Sequence, residues 1–65
     1  MISYTVHLLE RSGVPHEYII HSEKELPNCE LISIARKEVS EIITCNPMRL
    51  HYVRIESQVL EEVLS

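Results

Sequence analysis

The sequence predicts a small α+β or α/β domain in the order α-β-α-β-α, with a two-stranded sheet per chain that self-association extends. Three observations predict it. The run Cys29–Pro47 is long and has the apolar period of a helix, two short runs rich in Ile, Val and Tyr lie on either side of it, and 65 residues leave room for only a thin core. A chain of this length removes only roughly 60% of its unfolded surface on folding, which leaves little margin against conformational entropy. The whole of residues 1–65 is read as one small globular domain, without repeats or Gly/Ser-rich linkers. If Cys29–Pro47 is instead two strands turning at Lys37-Glu38, the alternative is a small antiparallel β-meander with a C-terminal helix.

In the opening residues Ile2, Tyr4, Val6 and Leu8 alternate like a strand, while Ile2, Val6 and Leu9 form a helical stripe. Ser3 as a cap, and Gly13 followed by Pro15 as a stop, favour the helix. Pro15 to His21 is too short for a helix and carries Tyr18-Ile19-Ile20, so it reads as a strand. Ser22 to Asn28 is a polar connector, with Asn28 placed to cap the central run.

The central run is a helix on the wheel. Leu31, Ile32, Ala35, Val39, Ile42 and Ile43 share one face, and Ser33, Lys37, Ser40 and Glu41 the other. Ala35-Arg36-Lys37-Glu38 favours helix by intrinsic propensity, and Asn46-Pro47 supplies a left-handed cap and a stop. Met48 to Glu56 reads as the second strand, with Leu50 and Tyr52 facing one way and His51, Val53 and Ile55 the other. Ser57 can cap a last short helix through Leu64, which needs a docking surface to be stable.

Leu8 to Tyr18 has a "helix, Gly, Val-Pro, strand" cadence similar to an element of glutaredoxins and of aminoacyl-tRNA editing domains. That unit follows a Cys-x-x-Cys or Cys-x-x-Ser motif in glutaredoxin-like domains, and no such motif precedes it here. The resemblance implies a helix-strand boundary, and no function is carried over from it.

Composition excludes several functions. Ten acidic residues, all glutamate, against six Lys and Arg give a formal charge of -4, which disfavours a general phosphate-binding surface. Met1-Ile2-Ser3-Tyr4 carries no basic n-region, and no apolar run approaches the roughly 20 residues that span a bilayer. The expectation is a cytoplasmic protein with no membrane association, in which Cys29 and Cys45 are free thiols.

Chemistry-bearing residues are sparse. His7, His16, His21 and His51 with the two cysteines lack the close paired spacing of a zinc site. His16 and His21 are an odd number of residues apart, which puts them on opposite faces of a strand. Cys29 and Cys45 lie about 24 Å apart along a helix. Cys45, Asn46 and His51 meet the composition of a thiol-imidazole arrangement, but Cys45 sits at a helix carboxyl end, where the dipole disfavours a negative charge. Glu61-Glu62 is adjacent on a helix and diverges, and one glycine precludes a Gly-rich phosphate loop. No catalytic, cofactor-binding or metal residue is therefore assigned, and the chain is expected not to be an enzyme.

An interaction surface remains. Arg49, Tyr52 and Arg54, continued by Val59, Leu60 and Val63, combine the arginine and tyrosine common at interfaces with an apolar stripe. The expected function is a small acidic protein-interaction or regulatory module that binds a protein partner and itself, without catalysis. A weak nucleic-acid-binding protein using Arg49, Tyr52 and Arg54 is one alternative, and a Cys/His metal or thiol protein is another.

Overall fold

A computed structural model describes residues 1–60, and the described residues fold as two strands, a helix and a third strand. These are β1 (Ile2–Glu10), β2 (Pro15–Ser22), α1 (Asn28–Ile43) and β3 (Leu50–Val59), with a single 3-10 turn, Pro47–Arg49, before β3. The three strands form one sheet in the order β2-β1-β3, with both pairings antiparallel. The coarse α+β expectation is met. The arrangement departs from the two-stranded α-β-α-β-α one and lies closer to the antiparallel alternative, built from different segments.

Residues 2–10 form a strand, β1, and not the helix expected there. Its alternation beats its helical stripe because Tyr4, Val6 and Leu8 bury on one face while Ser3, Thr5 and His7 lie on the other. Ile2, Tyr4, Thr5 and Val6 all suit a pleated strand. Gly13, read as a helix stop, has φ 99° and closes a hairpin. Its N–H donates to Glu10 O at 2.7 Å and Glu10 N–H donates to Val14 O at 2.8 Å, the pattern of a three-residue loop with a left-handed third residue. The helix-strand boundary implied by the glutaredoxin-like cadence is thus a strand-strand turn.

The helix expected over the central run is present, ending slightly earlier. Leu31, Ala35 and Val39 bury against the sheet together with Ser40, which donates to Lys37 O at 2.8 Å. Ile42, placed on the buried face from the wheel, is 72% exposed, because the contact is a narrow i, i+4, i+8 stripe. Thr44, and not Asn46, takes the left-handed cap, at φ 55°. Asn46 instead caps the 3-10 turn, its Oδ1 accepting from Met48 N–H at 3.0 Å.

Both β2 and β3 run antiparallel to β1, so they are parallel to each other with β1 between them. The crossover through α1 therefore skips a strand and covers one face only. The core under it is Tyr4, Val6, Leu8, Leu31, Ala35, Val39 and Leu50, flanked by Ile2, Tyr18, Ile20, Leu26, Ile43, Cys45 and Ile55. The helix expected from Ser57 is replaced at its start by β3, which pairs Ser57 with Tyr4 and Val59 with Ile2, and its remainder lies outside the described residues. Leu60 N–H continues the ladder, donating to Met1 O at 2.8 Å.

Candidate functional site

Among the described residues the sheet face opposite α1 is bare, and a charged row crosses its three strands. His7 of β1 is directly opposite Glu17 of β2 and Arg54 of β3, so all three share this face. The ring Nδ1 lies 3.4 Å from Glu17 Oε1, and Nε2 lies 3.1 Å from Glu56 Oε1. Arg54 Nε donates to the same Glu56 oxygen at 2.8 Å. His7 Nε2 is buried and off the line that a ring N–H needs for a hydrogen bond to Glu56, so the contact is one of proximity and not of alignment.

This row does not chelate. The two glutamates approach opposite nitrogens of one ring, which leaves no common point for a cation. Among the described residues no group of three or more His, Cys, Asp or Glu side chains is placed to hold a metal ion.

The residues singled out from sequence do not form one patch. Strand β3 carries a bulge: the partner of His7 is Arg54 while the partner of Leu8 is Tyr52, so Val53 is the extra residue. Tyr52 therefore shares the helix-covered face with Leu8, at 42% exposure, and Arg54 the bare face with His7. A base stacked on Tyr52 and a phosphate held by Arg54 would lie on opposite sides of the sheet. Arg49 is exposed in the 3-10 turn, its carbonyl accepting from Arg11 N–H at 3.0 Å. Val59 and Leu60 are exposed at the far end of β3, and Val63 lies outside the described residues. Tyr52, Arg54 and Val59 thus lie along one edge strand, with Arg49 just before it and Leu60 just after it.

The histidines and cysteines are likewise separated. His16 faces Glu10 on the helix side, with Nε2 to Oε2 at 3.1 Å, while His21 is on the bare face. Cys45 packs against the core and donates to Asn46 O at 3.6 Å, whereas His51 is paired with Leu9 on the bare face, so the sheet lies between thiol and imidazole. Cys29 is exposed at the first turn of α1.

No pattern in the sequence points to one concavity, a groove of about 550 Å³ on the outer side of α1. It is lined by Cys29, Ile32, Ser33, Arg36, Lys37 and Pro47, because the 3-10 turn brings Pro47 back beside the helix. Arg36 is already committed there, with Nε donating to Leu50 O at 3.1 Å. No family model, curated protein or solved structure matches the chain.

Proposed function

We propose that the chain is a small binding module that engages a protein partner along β3 and acts by occluding or biasing that partner, without catalysis. The observation that carries this is the exposure of one whole edge strand. Nearly every residue of β3 from His51 to Val59 is solvent-exposed, and the strand displays Tyr52, Val53 and Val59 beside Arg54 and Glu56. An edge strand offers backbone groups for strand addition, and tyrosine and arginine are frequent anchors once buried. The separation of Tyr52 from Arg54 favours this reading over nucleic acid, since a partner chain added at an edge touches both faces of its host strand. A cytosolic setting suits the two free thiols, and no described helix is long and apolar enough to cross a membrane.

The test is affinity capture from lysate with the wild type, Tyr52→Ala and Arg54→Glu, at low and high salt. A protein retained at high salt and lost with either variant supports the reading. Nucleic acid retained at low salt and released at high salt supports the nucleic-acid alternative.

A further inference from the structure

The sheet has two outer edges, and they are built differently. Along β3 the bulge at Val53 divides the outward amides into two shorter runs. Strand β2 has no bulge, and its pairing with β1 runs without a shift from Ser22 to Pro15.

The direction of the β2 amides is set by the turn. Glu10 and Val14 are a hydrogen-bonded pair, so the alternate pairs Leu8 with His16, Val6 with Tyr18, Tyr4 with Ile20 and Ile2 with Ser22 are hydrogen-bonded too. On its other side β1 uses Met1 and Arg11 to bond Leu60 and Arg49, so its odd positions serve β3. The N–H and C=O groups of Glu17, Ile19 and His21 therefore point away from the sheet. Their side chains lie on the bare face, and Ile19 is 59% exposed.

We propose that β2 pairs antiparallel with β2 of a second copy of this chain about a two-fold axis at Ile19, joining two three-stranded sheets into one of six strands. In this register the outward groups of Ile19 meet those of the partner's Ile19, and those of Glu17 meet those of the partner's His21. The carboxylate of Glu17 then accepts from the imidazole of the partner's His21 on the bare face, twice by symmetry. On the covered face Tyr18 comes opposite the partner's Ile20, and since both already pack against the core, the two cores become continuous. Moving the axis to Glu17 opposes two carboxylates, and moving it to His21 opposes two imidazoles and sets Ile19 against the partner's Glu23. Only the Ile19 register matches apolar with apolar and acceptor with donor.

This edge is separate from the β3 surface, so self-association and partner binding stand or fall independently. A single strand pair is a small interface, and association in the micromolar range is expected. The experiment is sedimentation velocity from about 1 μM to 1 mM with residue-resolved amide exchange on the same samples. The expected result is a dimer whose formation slows exchange at Glu17, Ile19 and His21. Ile19→Lys, at an exposed site, is expected to keep the fold and weaken the dimer by about tenfold or more, since two ammonium groups would then face each other. Glu17→Lys combined with His21→Glu reverses the polar pair and is expected to dimerise where Glu17→Lys alone does not. A folded wild-type monomer across the whole range overturns the proposal, as does a dimer protected at Ile55 and Ser57 of β3 with these three amides exchanging freely.

Discussion

The phenol oxygen of Tyr4, in the middle strand, accepts a hydrogen bond from the backbone N–H of Leu26 at 3.2 Å. The bond ties the connector between β2 and α1 to the centre of the sheet, and Leu26 packs on the core beside it. Tyr4→Phe keeps the ring and orphans the amide, and is expected to cost about 1 kcal/mol in urea unfolding. An unchanged midpoint would mean that water replaces the phenol without loss.

Thr44 holds the left-handed cap of α1 with a β-branched side chain, a conformation that glycine adopts without steric cost. Thr44→Gly is expected to raise stability by about 1 kcal/mol, and Thr44→Ala by much less, because alanine keeps the offending Cβ. Thermal unfolding of the two variants side by side checks this.

Gly13 has nothing within 4 Å of where a Cβ would sit, so a side chain there meets backbone strain and no clash. Gly13→Ala is expected to destabilise by about 1–2 kcal/mol through that strain alone. Denaturant unfolding with an unchanged m-value would agree, since the folded and unfolded surfaces are the same.

Helical periodicity places both Leu31 and Ile42 on the apolar side of the central run, yet Leu31 is fully buried and Ile42 faces solvent. Leu31→Ala is expected to cost about 2–5 kcal/mol and Ile42→Ala under about 1 kcal/mol. Similar costs for the two would show that the helix docks on a broader face.

His7 separates two carboxylates on the bare face. His7→Glu would line up three, and is expected to destabilise by about 1–2 kcal/mol at low ionic strength. Part of the loss should return as salt is added, because the row is near the surface. A loss independent of salt would point to packing and not to charge.

How far the fold can be read from the residues depends on how many roles each signal can play. The central helix is legible because its strand alternative puts Lys37 and Leu31 on one face, and β2 is legible from Tyr18-Ile19-Ile20. Strand β1 is not, since Gly13 serves equally as a helix stop and as the left-handed residue of a hairpin, and only pairing on both sides decides for the strand. The run from Ser57 has a cap and a helical stripe, but its pairing with Tyr4 and Ile2 is non-local and leaves no mark in the local pattern. The candidate surface suffers most from the bulge at Val53. One extra residue moves Arg54 off the face of Tyr52, and no spacing in Arg49 to Arg54 announces it. The charged row escapes a reading of the sequence because His7, Glu17 and Glu56 are brought together only by the sheet.

Strand β1 is made first, gains β2 at once through a three-residue turn, and meets β3 only at the other extreme of the described chain, where Leu60 bonds to Met1. The two halves of its pairing therefore close very different loops. The hairpin is a microsecond event, whereas docking β3 must bring together residues separated by the whole helix. On a ribosome, the middle strand would emerge with one side satisfied and the other open until the last described strand is made. During that interval the nascent chain presents the β1 edge to its neighbours, so slow synthesis or premature termination before Leu50 would favour aggregation over folding.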